Sequence, residues 1–317
     1  MSKIQALSIP VIFQNSVRPY QLFIYRGDLE HAHAPGNKWH KLKYHLQEAR
    51  RLKAHYIATF GGPYSNHLHA FASTLIDTDF TGIAIVRGEL HPTLTPTLID
   101  VAKAGVELWP CSRKDYRLAE GGDLVKWINR QYSNVYWIPE GGGGPLGLKG
   151  CRDWAEDISN ISGEYDAWCV AAGTGTTAAG LLAYENIPHL HVVSALKGAK
   201  MQENEILEAS ATLIQYRLPI DRLRQRMTFH DDAHEGGYAK HSAELRHFLQ
   251  LFAKLNPTVE LDPVYTCKVL FSIMKKMRDD KWPHSRTLLI HTGGIQGWRG
   301  YPADSNPFVS ASVDSDK

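Results

Sequence analysis

Residues 166–184 read DAWCVAAGTGTTAAGLLAY, and this stretch decides the fold. An apolar run, 166–173, reaches a glycine. Gly173, Thr174, Gly175, Thr176 and Thr177 form a loop, and an alanine-rich helical pattern follows. A strand that passes through a glycine loop into a helix is part of an α/β unit with buried parallel sheet. Glycines let backbone N–H groups approach an anion, and the helix N-terminus and threonine hydroxyls add to its binding. The loop reads as a phosphate cradle; a tight turn without a ligand is the plain alternative. The stretch also fits the dinucleotide fingerprint G-x-G-x-x-A, which requires an acidic residue about 20 positions on. The matching region, VVSALKG, offers Ser194 and Lys197 and no acid. NAD is therefore disfavoured, while NADP stays open because a basic residue can stand there. No Walker A lysine is present, so a compact phosphate monoester suits the loop best.

The same alternation extends in both directions. HYIATFGG (55–62), GIAIVRG (82–88), VELWP (106–110), VYWIPEGG (135–142), LHVVSAL (190–196) and RTLLIHTGG (286–294) read as strands. Helical patterns at 65–77, 96–105 and about 115–132 separate the earlier ones. Near-continuous apolar strands between helices indicate an α/β fold with two open α/β domains. The glycine-rich PEGGGGPLGLKG (139–150) marks an internal boundary. It divides a larger domain, residues 1–40 and 148–317, from a smaller inserted one, residues 41–147. Residues 303–317 are small and polar and read as a surface tail. Ligands of open parallel sheets bind outside the carboxyl ends of the strands. Here those ends carry GGPYSNH, AAGTGTTAAG and HTGG, which suggests one shared site between the domains.

Composition narrows the class. The 317 residues are 43% hydrophobic and 21% charged, with a formal net charge of +2. Nothing points to a nucleic-acid partner, and no basic run is interleaved with aromatics. Cys111, Cys151, Cys169 and Cys267 lack C-x-x-C spacing, which fits reduced thiols in a cytoplasmic protein. No apolar run is long enough to span a membrane, and the first residues lack a leader pattern, so a cytoplasmic location is expected.

Several short motifs carry side chains suited to chemistry. GNKWHKLKYHL (36–46) crowds Lys38, Lys41 and Lys43 at a helix start. Trp39, Leu42, Leu46 and Ala49 form its apolar stripe, so Lys41 and Lys43 are expected beside it or opposite it, with their stems packed and their heads in water. Lys38 is harder to explain, because the helix dipole disfavours a cation in the first turn. TFGGPYSNHLHA (59–70) places Ser65, Asn66 and His67 at another helix start, suited to capping or to holding a carboxylate. HDDAHEGGY (230–238) reads as a polar loop rather than a metal site, with Tyr238 at its end. LDPVYTCKVLFSIMKKM (261–277) reads as a helix entered through Asp262-Pro263, with Tyr265 and Thr266 in its first turn. His31, His33, His189 and His191 read as surface or packing residues.

GNKWHKLKY, GGPYSNH, GGGGPLGLKG, AAGTGTTAAG, DPVYTCK and HTGG stand in an order that resembles the 1-aminocyclopropane-1-carboxylate deaminase/D-cysteine desulfhydrase family. The resemblance runs from about residue 20 to 300. It implies the fold type II, tryptophan-synthase-β-like architecture, with pyridoxal 5'-phosphate between two domains, and a homodimer. It makes Lys38 the lysine that forms a Schiff base with the cofactor. Gly173, Thr174, Gly175, Thr176 and Thr177 would hold the phosphate, Asn66 the phenolic oxygen and Thr292 the pyridine nitrogen. Ser65, Asn66 and His67 would hold the substrate carboxylate. Ser65, Tyr238 and Tyr265 would join Lys38 as catalytic groups.

The implied function is a lyase or deaminase that releases a 2-keto acid and ammonia from a small amino acid. Thr266 and Thr292 match the D-cysteine desulfhydrase pattern, where the cyclopropane deaminases carry Glu and Leu. β-Elimination is therefore preferred over ring opening of 1-aminocyclopropane-1-carboxylate. Leu68 and His69 stand where the family has an arginine, and Trp39-His40 replaces smaller or basic residues. Trp39, Leu68 and His69 are thus expected to shape the pocket. The rival classes are an NADP-dependent oxidoreductase, resting on G-x-G-x-x-A and Lys197, and a non-catalytic protein that keeps the cofactor.

Overall fold

The computed structural model describes residues 3–14, 18–32, 34–90, 93–213 and 219–311; His33 and the tail beyond residue 311 lie outside these. The chain opens with strands β1 (Ile4–Ala6) and β2 (Gln21–Tyr25) and helix α1 (Asn37–Arg51). Next come β3 (Tyr56–Gly61), α2 (Asn66–Leu75), β4 (Thr81–Arg87), α3 (Pro96–Lys103), β5 (Glu107–Cys111), α4 (Arg113–Tyr116), α5 (Asp123–Gln131) and β6 (Val135–Ile138). Then follow α6 (Gly144–Ile161), β7 (Ala167–Ala172), α7 (Thr176–Ala183), β8 (His189–Ser194), α8 (Gln202–Leu213), α9 (Ile220–Gln225) and β9 (Met227–His230). The described chain closes with α10 (Ala243–Leu255), α11 (Thr266–Arg278), β10 (Arg286–Ile290) and α12 (Pro307–Ala311).

Two sheets result. A four-stranded parallel sheet has the order β5-β4-β3-β6. A six-stranded sheet has the order β1-β2-β10-β7-β8-β9 and is parallel except at the β1–β2 edge. Alternation along its strands fills two core layers. Leu289 and Cys169 pack with Phe248, Phe252 and Phe271 on one face, while Leu288, Ile290, Trp168 and Val170 pack with Trp154 and Leu181 on the other. The mixed α/β class and the parallel sheets are those expected.

Several local expectations need correction. The helix read at 115–132 is broken into α4 and α5, with Gly121 and Gly122 between them. β9 was not foreseen: His230, assigned to a polar loop, ends this strand. Pro263 precedes α11 rather than opening it. The buried Asp262 carboxylate instead accepts from the N–H groups of Val264, Tyr265 and Thr266 at 3.0, 2.7 and 2.7 Å. The end of the chain is not all surface, because Phe308 is buried against Phe252 and Trp298.

The glycine-rich stretch 139–150 turns and then enters α6, which packs along α1. A Cβ on Gly150 would lie 1.7 Å from the His40 carbonyl oxygen, so only glycine allows this approach. The contact fixes the first turns of α1 against α6.

Candidate active site

The carboxyl ends of β3, β7 and β10 converge on one cavity of about 550 Å³, within the usual range for a small-ligand pocket. Lys38, Lys41, Ser65, Asn66, His67, Gly173, Thr174, Gly175, Thr177, Tyr238, Tyr265 and Thr292 all line it. The three strand ends named from the sequence therefore meet.

α1 enters the site through Gly36, whose φ of +72° favours glycine. A Cβ there would meet the Thr292 carbonyl oxygen at 2.2 Å. The Asn37 N–H donates to that same oxygen at 3.3 Å, tying the start of α1 to the end of β10. Asn37 Nδ2 donates to Thr177 Oγ1 at 2.9 Å, which ties it to α7 as well. Lys38 is thus held by three elements. Its amine donates to Asn37 Oδ1 at 3.1 Å. Burial, with Lys41 beside it, lowers the amine from its ordinary value to about 7.

Lys41 does not lie with its head in water as expected. It is 2% exposed, and its Nζ lies 3.3 Å from Gly141 O and 3.5 Å from Thr174 Oγ1. No carboxylate pairs with it among the described residues. A buried cation without a counter-charge marks a place for an anion. Gly175 caps α7 in a left-handed conformation, and the first N–H groups of α7 open beside Lys41 and Thr174. A Cβ on Gly173 would come within 3.0 Å of the Tyr265 ring, so the loop is narrowed to its backbone. Thr176 is set apart from the other loop residues: its hydroxyl faces Thr174 Oγ1 at 3.2 Å, and it does not line the cavity.

At the start of α2, Ser65 Oγ accepts from the Leu68 N–H at 3.3 Å, so it caps the helix while it lines the cavity. Asn66 Oδ1 accepts from Gln296 Nε2 at 3.0 Å. Thr59 Oγ1 lies 2.9 Å from the Ile138 carbonyl, to which it donates, and 2.7 Å from His67 Nε2. His67 Nε2 must therefore donate to Thr59. Its Nδ1 is left as a buried acceptor without a protein partner. Burial, then Lys38, Lys41 and His45, push the imidazole well below its ordinary value, so it is neutral.

Tyr238 and Tyr265 meet edge to face, with ring centroids 6.2 Å apart. Their hydroxyls are hydrogen-bonded, and burial raises both above the ordinary phenol value, so both carry their protons. The loop that bears Tyr238 is held by the buried Lys268, whose Nζ donates to His234 O at 2.8 Å and Gly237 O at 2.7 Å.

Of the residues expected to shape the pocket, His69 alone lines it. Trp39 stacks on His31 at 3.9 Å on another face, and Leu68 is fully buried in the core. Of the two subgroup markers, Thr292 lines the cavity. Thr266 is 1% exposed and does not. Arg87, Glu140 and Gln296 line the cavity and were passed over in the sequence. Arg87 was legible, since it stands next to last in GIAIVRG, at the carboxyl end of a parallel strand.

No family model matches the chain. The fold is nonetheless that of solved fold type II enzymes. A structure described as an ACC deaminase homologue superposes with a TM-score of 0.78 at 25% identity, covering 95% of this chain and 92% of that one. A pyridoxal 5'-phosphate-dependent aspartate racemase superposes at 0.65, with 97% of this chain and 93% of that one covered, but at 11% identity it speaks to fold alone. The fold is that of the pyridoxal phosphate enzymes of fold type II.

Sequence relatives narrow this. A Thermotoga maritima protein with the provisional name 1-aminocyclopropane-1-carboxylate deaminase is 29% identical over 288 residues, 88% of this chain and 90% of that protein. The D-cysteine desulfhydrase of Salmonella choleraesuis is 26% identical over 301 residues, 89% of each. The mitochondrial bifunctional D-cysteine desulfhydrase/1-aminocyclopropane-1-carboxylate deaminase of Arabidopsis thaliana is 26% identical, covering 87% of this chain and 73% of that one. Over most of its length the chain is thus similar to proteins named as 1-aminocyclopropane-1-carboxylate deaminases and D-cysteine desulfhydrases. The NADP-dependent oxidoreductase reading is not favoured. No described helix is long and apolar enough to cross a membrane, and no described cluster of ligands suits a metal ion.

Proposed function

We propose that the protein binds pyridoxal 5'-phosphate through Lys38 and releases a 2-keto acid and ammonia from a small amino acid. β-Elimination of the D-cysteine type is the first reading. The observation that carries it is the pairing of a partly neutral Lys38 amine with a separate anion cradle one helical turn away, at Lys41, Thr174 and the start of α7. The cofactor fits the residues present: the buried Lys41 cation without a carboxylate partner suits its phosphate, whereas His67, whose free ring nitrogen is an acceptor, is not set to hold the substrate carboxylate expected of it.

Bound there, the cofactor supplies an electron sink that acidifies the α-carbon of an amino acid. The protein does the rest. The α7 N-terminus, Gly173, Gly175, Thr174 and Lys41 would hold the phosphate. Asn66, fixed by Gln296, would meet the phenolic oxygen. Thr292 would meet the ring nitrogen, and its neutral hydroxyl would leave that nitrogen less basic than a carboxylate partner would. The free N–H groups at the start of α2 would hold the substrate carboxylate, with Ser65 beside them. A Lys38 amine that titrates near neutrality can take and return a proton. The protonated Tyr238–Tyr265 pair can give one to a leaving group. Thr292 in the cavity supports elimination over ring opening. A homodimer and a cytoplasmic location complete the proposal on family resemblance.

Keto-acid release from D-cysteine by cofactor-loaded protein tests the reading. Pyruvate with equimolar sulfide is the expected result. Release from 1-aminocyclopropane-1-carboxylate alone would overturn the preference for elimination.

A further inference from the structure

The cavity holds a cation that the proposed reaction does not use. Arg87 ends β4 and lines the cavity. Its guanidinium lies over the Tyr116 ring, 5.5 Å from the centroid. One Nη atom is 3.2 Å from where a Cβ on Gly62 would stand, so it rests against the turn that leads to Ser65. Tyr116 is itself fixed, because its hydroxyl donates to Glu140 Oε1 at 2.7 Å. Arg87 has no ion pair with a carboxylate among the described residues. A supported guanidinium that faces a cavity without a partner suits bidentate binding of a planar anion.

The other anions of the reaction have places already. Lys41 and the start of α7 serve a phosphate, and the start of α2 serves one carboxylate. Glu140, the acidic residue at the cavity wall, is engaged by Tyr116. We infer that Arg87 is a specificity-determining residue that selects amino acids carrying a second anionic oxygen group beyond the α-carboxylate. This rests on the amino-acid reading above and narrows its substrate class. Cysteine and the cyclopropane amino acid, which lack such a group, would then be slower substrates than a β-substituted acidic amino acid.

The test compares two unreactive four-carbon acids, succinate and butyrate, by calorimetry on cofactor-treated wild-type protein and on Arg87→Met and Arg87→Lys. Wild type is expected to bind succinate roughly ten- to a hundredfold more tightly than butyrate, the range for a charge-assisted hydrogen bond. Arg87→Met should erase the difference and leave butyrate binding within about threefold, and Arg87→Lys should keep part of it. O-Phosphoserine should likewise release keto acid faster than cysteine in wild type and lose that advantage in Arg87→Met. Equal binding of the two acids by wild type overturns the inference. So does an equal loss of both in Arg87→Met, which would make Arg87 a support for the Gly62 turn or for the α-carboxylate. The visible absorption band of the lysine-bound cofactor reports separately. Protein without the band that still prefers succinate would sink the cofactor reading and leave Arg87 in its role. Protein with the band and no preference would sink the inference alone.

Discussion

Replacing Gly150 by alanine tests the contact that positions the site. The new methyl carbon would lie 1.7 Å from the His40 carbonyl oxygen and 2.7 Å from its carbonyl carbon. Ordinary contact begins near 3.4 Å, so α1 and α6 must separate by about the difference. Both opposing atoms are backbone, so no side chain can swing aside. Overpacking of a core costs about 1–3 kcal/mol, and a backbone clash belongs at the upper end. For a chain of this size, about 3 kcal/mol lowers Tm by roughly 4–5 °C. The damage extends to function because His40 lies between Lys38 and Lys41 on α1. A shift of about 1 Å in that turn is expected to weaken cofactor retention tenfold or more. Differential scanning calorimetry and cofactor titration measure the two effects. Gly121→Ala is the control, since a Cβ there meets nothing within 4 Å. Wild-type Tm and cofactor retention in Gly150→Ala would refute the reasoning.

Other outcomes follow from single groups. Acylation of Lys38 by an amine-directed reagent should rise with pH and level off above about 8, because the amine titrates near 7; Lys41→Met should move the midpoint upward, and a rate still climbing at pH 10 in wild type contradicts this. Lys268→Met removes the ammonium that ties the His234 and Gly237 carbonyls to α11 and leaves them only their backbone donors within the loop. It should speed hydrogen exchange in 234–238 and lower kcat about tenfold while the cofactor band persists; unchanged exchange would show that Lys268 does not hold the loop. His191 lies 2.9 Å from His230 and 2.8 Å from His284, nitrogen to nitrogen, and burial followed by its histidine neighbours lowers it to about 2. Unfolded, it titrates near 6.5, so between these values the unfolded chain binds the extra proton. Stability should therefore fall as pH drops below about 6.5, by on the order of 2 kcal/mol at pH 5 for this ring. His191→Phe should flatten that part of the profile in urea unfolding, and an unaltered slope would count against the cluster as its source.

The sequence carried the parallel-sheet plan because strands such as 166–173 and 286–290 are apolar on both faces. It also carried the convergence of the site, because Gly62–His67, Gly173–Thr177 and Thr292–Gly294 all sit at carboxyl ends of such strands. What escaped depended on packing between distant segments. Lys41 reads as a solvated helix residue until α6 and the Gly141 turn cover it. Trp39 reads as a pocket wall, yet its face of α1 turns to His31. Thr266 sits next to Tyr265 in sequence, but the first turn of α11 rotates it into the core, where its N–H meets Asp262. β9 is short and polar at its end, and pairing with β8 is what makes it a strand.

We propose that Lys38, and no other lysine, carries the cofactor. Purified protein is incubated with pyridoxal 5'-phosphate, reduced with borohydride, digested and mapped by mass spectrometry. The phosphopyridoxyl mass is expected on Lys38, with loss of both label and visible band in Lys38→Ala. Label on Lys41 or Lys43, or a Lys38→Ala protein that keeps a covalent adduct, would contradict it.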